Sequence, residues 1–170
     1  MDDDAIWKRR HDALYLAKLG HLYHRKRERF FDQCDKLTKS ATVVFGASLL
    51  AAELRSFTPW IGMLVSTLGL LALVYGYTDK KQKHKELADS CMSLVGNIEL
   101  KGISNYSEQD TNAWLEDIAK LNSKEPPALG TLVVICQNEL ALADGKKGAV
   151  VHIARFKRIF ANWYDFQQAT

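Results

Sequence analysis

The chain has 170 residues, of which 47% are apolar and 25% are charged, with a formal net charge of +3. This length suits one ordinary domain with an appendage and excludes a multidomain enzyme with separate cofactor and substrate lobes. The composition is that of a folded chain, and no segment is basic enough to make nucleic acid an expected partner.

The three cysteines, Cys34, Cys91 and Cys136, are widely spaced and form no Cys-x-x-Cys pair. This spacing supports neither a disulfide scaffold nor a zinc ribbon, so we expect reduced, buried thiols. The first residues, Met-Asp-Asp-Asp, are acidic and lead into a long polar segment, which is the opposite of a secretory signal peptide.

An uncharged run from Ser56 to Thr78 is the most distinctive feature of the sequence. About 23 residues form a helix of roughly 34 Å, which is long enough to cross a hydrocarbon core of about 30 Å. Trp60 near one end and Tyr75 and Tyr77 at the other are typical of the two membrane interfaces. We therefore expect a transmembrane helix here.

A shorter apolar run, Ser40–Ala52, precedes this helix. Extended to Leu37–Leu54, it reaches about 18 residues and roughly 27 Å, provided that Lys39 snorkels at one interface and Glu53 lies at the other. Two such spans make a transmembrane hairpin at residues 40–78. The alternative is a helical hairpin buried in a soluble core.

Cationic residues flank this hairpin on both sides, whereas its connecting turn contains only Arg55. The positive-inside rule therefore places both termini in the cytoplasm and the hairpin in the inner membrane. We expect a cytoplasmic amphipathic N-terminal helix at 1–39, the hairpin at 40–78 and a cytoplasmic helical region at 79–170. The predicted fold class is an all-α membrane protein, with a two-helix transmembrane hairpin and long amphipathic helices that extend into a cytoplasmic helical bundle.

Small and polar side chains within the spans are the candidate functional residues of the hairpin. Small residues recur at a spacing of four, which lets helices approach closely within the hairpin or between copies: Ala47 and Ala51, Gly62 and Ser66, Ala72 and Gly76. A polar path in an oligomer is predicted from Glu53 together with Ser48, Ser66 and Thr67. The alternatives are small residues that are merely common in membrane helices, and a Glu53 that pairs with Arg55 at the interface.

Two long amphipathic helices are predicted on either side of the hairpin. The first covers residues 5–39, runs into the first span and has an apolar face made of Leu16, Leu19, Tyr23, Phe30, Cys34 and Leu37. The second follows the hairpin, ends at Gly102 and turns a stripe inward that contains Leu87, Cys91, Leu94, Val95 and Ile98.

Three shorter helices are predicted after Gly102. One starts near Ser107, with Asp110 as its capping-box partner, and the next opens at Pro126-Pro127 and ends before Gly145. The last reads helical from about Ile153 and groups Phe156, Ile159, Phe160 and Trp163. We expect the aromatic end at Phe160, Trp163, Tyr164 and Phe166 to be core, and the alternative is a docking surface.

No catalytic motif is found, because the sequence lacks GxGxxG, P-loop, GxSxG and HExxH patterns. His21 and His24 lie on adjacent turns of the N-terminal helix, which also carries Cys34, but no acidic or cysteine partner at ligand spacing completes a metal site. We therefore expect no enzymatic activity, no cofactor and no metal.

The arrangement of these parts resembles the SLATT family, the SMODS and SLOG-associating two-transmembrane effector domains of prokaryotic conflict systems. It combines a basic N-terminal helix with YHRKRERFF, the hairpin, an elongated helix, PALGTLVVICQNELALADG and ARFKRIFANW. The resemblance spans roughly Leu16 to Trp163. It implies structural importance, and no catalytic role, for its most family-like residues: Cys136, Asn138, Glu139, Gly145 and Trp163.

The resemblance implies a pore-forming membrane effector of antiviral defence by abortive infection. Such an effector is a homo-oligomer that permeabilises or depolarises the inner membrane. Because no SLOG-type ligand-binding domain or nucleotidyltransferase is fused here, the trigger is expected from a separate sensor or a second-messenger-generating protein. The alternatives are a membrane anchor or scaffold that recruits a cytosolic partner through residues 84–170, and a soluble helical bundle.

Overall fold

The computed structural model describes residues 3–48, 56–103, 105–125 and 127–166. These residues form helices, turns and irregular segments without a β-strand, which confirms the predicted all-α class for this part of the chain. The helices are α1 (Asp3–Ser48), α2 (Thr58–Tyr75), α3 (Tyr77–Leu100), α4 (Glu108–Ser123), α5 (Gly130–Ala143) and α6 (Arg155–Phe160), with a 3₁₀ turn at Lys147–Ala149. Internal contacts divide the chain into a first unit, residues 1–26 and 85–170, and a second unit, residues 27–84.

Helix α1 runs unbroken to Ser48, so the N-terminal helix continues into the region of the first predicted span. Residues 49–55 lie outside the described part of the chain, and they include Ala51 and Glu53. The predicted first span is therefore helical as far as it is described. A second membrane-crossing helix, and with it the two-span hairpin, stays a prediction.

The core of the first unit consists of two apolar clusters that share α1. One cluster joins α1 to α3 and α4 through Ala13, Ala17, Leu94, Val95, Ile98, Trp114 and Ile118. The other joins α1 to α5 and to the segment after α6 through Tyr23, Leu132, Cys136 and Ala161. Small residues at the start of the α1 face let α3 and α4 come close to it.

Helices α1 and α3 are antiparallel in the first unit. Lys18 pairs with Glu99 at 3.2 Å, and further along α1 Arg25 pairs with Asp89, earlier on α3, at 2.8 Å. The two helices are in close contact at Gly20, where an added Cβ would lie 3.0 Å from Sγ of Cys91.

The predicted apolar face of α1 is corrected by the structure. Leu16 and Leu37 are exposed, whereas Ala17, His24 and Phe31 are buried. These three positions recur at a spacing of seven, which is the repeat of helices that pack along each other. The prediction followed the largest apolar residues, and alanine and histidine contribute little to such a pattern.

The shorter helices match the predicted order but differ at their ends. Ser107 caps α4 through the complete capping box with Asp110, as predicted. Helix α5 begins at Gly130, with extended Leu129 as its N-cap, whereas Pro127 precedes the helix and Pro126 lies outside the described residues. Helix α6 occupies six residues only, and the segment from Val151 to Ala154 is not helical.

Candidate functional site

Helix α2 is an apolar helix that the rest of the described chain covers only in part, along the half-buried stripe of Ile61, Val65, Leu68 and Ala72. Its 18 residues correspond to about 27 Å, and none of them is buried. Among the described residues, this stretch is the one that is long and apolar enough to cross a membrane. The core of a soluble protein would bury such a helix, so its exposure favours lipid over a soluble hairpin.

The end of α2 carries the features expected of a membrane interface. Gly76 adopts a left-handed conformation with φ of 55°, and its N–H donates to the Ala72 carbonyl at 3.1 Å. Tyr75 and Tyr77 stack beyond it with their ring centroids 5.8 Å apart, and Lys80 lies 5.6 Å from the Tyr75 ring. Gly76, predicted as a packing residue, therefore terminates a helix, which only glycine does without strain.

The described residues include three members of the predicted polar path, Ser48, Ser66 and Thr67, while Glu53 lies outside them. The Ser48 hydroxyl donates to the Phe45 carbonyl at 2.6 Å, and the Thr67 hydroxyl donates to the Met63 carbonyl at 2.8 Å. Ser66 is exposed on α2. Each donated proton therefore stays on its own helix, while the hydroxyl oxygen retains accepting capacity. The structure does not bring Ser48 together with Ser66 or Thr67.

The small residues of the hairpin differ in how far the described chain covers them. An added Cβ at Gly62 would have nothing within 4 Å. Ala47 is exposed at the end of α1, and Ala72 is half-buried on α2. Close packing at these positions, within the hairpin or between copies, stays a prediction.

The second unit contains an ion-pair cluster next to the predicted spans. Asp32 accepts from Lys36 at 2.7 Å and from Lys81 at 2.8 Å. These hydrogen bonds, first from Lys36 and then from Lys81, lower the pKa of Asp32 to about 2. Asp35 pairs with Lys39 at 2.7 Å and accepts from Thr78 at 3.3 Å. Lys36 and Lys39 thus pair within α1, whereas Lys81 joins α3 to α1.

In the first unit, Asn138 fixes the segment after α5. Its side-chain nitrogen donates to the Val151 carbonyl at 2.7 Å, and its oxygen accepts from the Val151 N–H at 2.8 Å. Asparagine is suited to this pairing because its amide supplies one donor group and one acceptor. The neighbouring Glu139 pairs with Lys26 of α1 at 2.7 Å.

The other family-like residues, Cys136, Gly145 and Trp163, lie in different parts of the first unit. Cys136 is fully buried in the core, and this desolvation raises the pKa of its thiol to about 12. Gly145 has a φ of 74° in the turn after α5, and Trp163 is 57% exposed. Cys91 and Cys136 are therefore protonated core residues at neutral pH, as expected. Cys34 is only partly buried, which corrects the expectation of a buried thiol there.

Trp163 and Tyr164 of the aromatic end are exposed, which corrects the expectation that they are core, whereas Phe160 and Phe166 are half-buried. Phe156, Ile159 and Tyr164 are each more than 60% exposed. Phe156 contacts Phe160 and Phe166 with ring centroids 4.8 and 5.9 Å apart, so the aromatic rings are contiguous. Ala161 is buried in their place.

A shallow cleft of about 360 Å³ lies between α5 and the segment that Asn138 holds. Its walls are largely aliphatic, with Ile135, Leu142, Val150, Val151 and Ile153, and its polar lining consists of Asn138, Glu139, His152, Arg155 and Arg158. Sequence reasoning missed this cleft because the two arginines were assigned only to a terminal helix.

A second missed feature is a buried polar pair. His24 Nε2 lies 3.4 Å from Glu125 Oε2, and their side chains are 3% and 13% exposed. No sequence signal joins residues so far apart in the chain. His21 Nδ1 lies 3.0 Å from the Ala88 carbonyl oxygen on α3. No group of three potential metal ligands occurs among the described residues.

The geometry thus provides an apolar helix without a buried residue, an ion-paired helix pair next to it and a cationic cleft in the first unit. Comparison with protein-family models, with curated proteins and with solved structures finds no match to this chain.

Proposed function

We propose that this chain is a two-transmembrane effector of a prokaryotic antiphage or conflict system. It oligomerises and permeabilises or depolarises the inner membrane when a separate sensor or nucleotide signal triggers it. The resemblance to the SLATT family supplies the class of function.

The observation that carries the proposal is that no residue of α2 is buried, although α2 is strongly apolar. An exposed apolar surface of this size is unfavourable in water, at about 25 cal/mol per Å², and requires a lipid or protein environment. The length of α2 matches a hydrocarbon core, and its tyrosines and Lys80 lie at one end.

The ion pairs of the second unit support a hairpin. Asp32 pairs with Lys81, and further along α1 Asp35 meets Thr78, earlier in the chain, so the segments that flank the two predicted spans are antiparallel. The chain enters the predicted spans after Asp35 and emerges from them at Thr78, which contacts Asp35. This connectivity is the one expected of two adjacent spans. Cations on both flanks favour cytoplasmic termini.

The proposed switch is a shift of population. A trigger activates the effector only if it binds the conducting oligomer more tightly than the resting form. Because the spans supply few polar side chains, the lining of such an oligomer depends on Ser48, Ser66, Thr67 and Glu53.

The experiment separates insertion from conduction. Insertion is measured by membrane fractionation after a carbonate wash, and depolarisation by a potential-sensitive dye in cells that express the chain with and without its neighbouring genes. Leu70→Arg introduces a charge into α2 and is expected to cost about 2.5–3.5 kcal/mol of insertion free energy. Leu100→Arg is the matched control, because Leu100 is 87% exposed at the end of α3, outside the span.

The proposal expects that the parent and Leu100→Arg insert and depolarise the membrane. Leu70→Arg is expected to lose both membrane insertion and depolarisation. Unchanged potential in every gene combination, despite confirmed insertion, contradicts the effector function. Chain that remains in solution without detergent contradicts the membrane location itself.

The pore lining is tested separately. Glu53→Gln is expected to weaken toxicity or alter cation selectivity without preventing insertion, since a carboxylate ring at the outer mouth attracts cations. Ser66→Leu is expected to weaken assembly, because it fills a small-residue packing face. If Glu53→Gln and Glu53→Lys both leave conductance and selectivity unchanged, Glu53 is an interfacial anchor only.

The alternative function is a non-permeabilising anchor or scaffold that recruits a cytosolic partner. The exposed aromatic end favours it, since Phe156, Ile159 and Trp163 lie in contact with solvent. This alternative predicts no depolarisation by the full chain and loss of the partner from the membrane when residues 40–78 are deleted.

A further inference from the structure

The cleft beside α5 has apolar walls that the described chain leaves partly open. Ile135 and Ile153 are half-buried there, while Leu142 and Val151 are each 53% exposed. The cleft volume of about 360 Å³ lies near the lower end of the range for small-molecule sites, about 300–1,000 Å³. A ligand that covers these side chains gains free energy in proportion to the apolar area removed from water. The cleft therefore fits the body of a small aliphatic molecule.

The charged side chains in the lining are one carboxylate and two guanidinium groups, Glu139, Arg155 and Arg158, so their net charge is +1. Glu139 is already paired with Lys26 at 2.7 Å. Arg155 and Arg158 are three positions apart on α6, and neither pairs with a carboxylate among the residues that the structure describes. His152, the other titratable group of the lining, is exposed. Both guanidinium groups are thus open to an anion from outside the chain.

One wall of the cleft is held in place before any ligand binds. The side-chain amide of Asn138 pairs with both the N–H and the carbonyl of Val151, at 2.8 and 2.7 Å. A ligand therefore does not have to order this non-helical segment, which lowers the entropic cost of binding.

We propose that the cleft binds a medium-chain alkyl carboxylate. The carboxylate pairs with Arg155 and Arg158, and the alkyl chain covers Leu142 and Val151. A monoanion balances the +1 charge of the lining, whereas a phosphate dianion exceeds it and an ammonium group is repelled. Because both arginines are exposed, their pairing supplies mainly selectivity, and the buried methylene groups supply most of the affinity. This binding does not rest on membrane permeabilisation.

The first experiment is photolabelling of the full chain in phosphatidylcholine nanodiscs. The probe is octanoate that carries a diazirine on its alkyl chain, and mass spectrometry maps the labelled residues. The proposal expects labelling within residues 135–158 that saturates with probe concentration and is displaced by unlabelled octanoate. Labelling of other segments by probe dissolved in the bilayer should not saturate, and it gives the background.

Competition by related molecules tests the two parts of the ligand. Hexanoate lacks two methylene groups, so it should displace the probe only at about tenfold higher concentration than octanoate. Octylamine and octyl phosphate keep the chain and change the head group, and both should compete less well than octanoate. Equal competition by hexanoate overturns the role of the aliphatic walls, and equal competition by octylamine overturns the role of the arginines.

Charge removal in the full chain tests the arginines themselves. Arg155→Gln with Arg158→Gln leaves Glu139 as the one carboxylate or guanidinium group of the lining. We expect octanoate binding to weaken by about fivefold, and octylamine to become the better competitor. Lys157→Gln is the matched control, since Lys157 lies on the same short helix but does not line the cleft. An unchanged order of the two competitors in the double variant overturns the proposal.

Two further outcomes contradict the proposal. One is the absence of saturable labelling within residues 135–158 in a chain whose unfolding curve shows that it is folded. The other is displacement of the probe by phosphatidylglycerol in the nanodisc but not by soluble octanoate, which identifies a bilayer lipid as the occupant. Each result is obtained whether or not the chain depolarises membranes, so failure of this proposal and failure of the effector function are distinguishable.

Discussion

Asn138 and Val151 are joined by two hydrogen bonds, of 2.7 and 2.8 Å, between one side-chain amide and one peptide unit. This pair holds the irregular segment after α5 in place and forms one wall of the cationic cleft. The resemblance implied only that Asn138 matters structurally, and the geometry gives the physical reason.

Asn138→Asp tests this pairing. The carboxylate still accepts from the Val151 N–H, but its second oxygen has no proton to donate and faces the Val151 carbonyl. We expect a loss of about 1–3 kcal/mol in the free energy of unfolding and faster hydrogen exchange at the Val151 amide. Asn97→Asp on the exposed side of α3 is the control and should change stability by less than about 0.5 kcal/mol. Equal effects of the two variants would refute the assigned role.

Gly20→Ala tests the close approach of α1 and α3. The new Cβ would lie 3.0 Å from Sγ of Cys91, so the buried Cys91 side chain or α3 must shift by a few tenths of an ångström, and we expect a destabilisation of about 1–3 kcal/mol. Gly96→Ala is the matched control, because nothing lies within 4 Å of its added Cβ, and helix propensity should stabilise it by about 0.5–1 kcal/mol. Cys91→Ala in the Gly20→Ala background should recover part of the loss. Stabilisation by Gly20→Ala would contradict the contact.

The pH dependence of stability tests the ion pairs of Asp32. Its pKa falls from an ordinary 3.8 to about 2 in the folded chain because Lys36 and Lys81 donate to the carboxylate. A depressed folded-state pKa contributes stability above the unfolded pKa, and that stability is lost as the pH falls toward the folded pKa. The parent should therefore be more stable than Asp32→Asn above about pH 4, with the difference shrinking between pH 4 and 2. A difference independent of pH over this window would show that the carboxylate is unpaired.

Cysteine alkylation tests the assignment of the thiols. Burial raises the pKa of Cys91 to about 11 and that of Cys136 to about 12, so both are protonated and shielded at pH 8. Cys34 is only partly buried. Mass spectrometry should find Cys34 modified first and the other two only on unfolding, with the fast phase absent from Cys34→Ser. Rapid modification of Cys136 in the folded chain would contradict its burial.

Local patterns predicted much of the fold. The α3 stripe of Leu87, Cys91, Leu94, Val95 and Ile98 is buried as expected, because large apolar residues at helical spacing identify a face directly. Ser107 and Asp110 form the predicted capping box, which depends on two side chains three positions apart. Gly102, with a φ of 73°, follows the end of α3 as predicted.

Features that depend on distant residues were not predictable. The buried face of α1 is set by three neighbouring helices, and its Ala13, Ala17 and His24 give no strong apolar signal. The exposure of Phe156 and Ile159 is a tertiary outcome, since the same residues would be core if another helix covered them. The cleft likewise depends on Asn138 capturing Val151, which no local pattern encodes.

The central claim is that α2 crosses a bilayer, and depth measurement with spin labels tests it most directly. Single labels from residue 58 to 75 in reconstituted vesicles are compared for their accessibility to oxygen and to a water-soluble nickel reagent. The account predicts that oxygen accessibility of the lipid-facing labels peaks near the middle of α2 and falls toward Thr58 and Tyr75, with nickel excluded from those labels. Nickel accessibility that is uniform over the length of α2, on every face of the helix, would contradict a membrane-spanning helix.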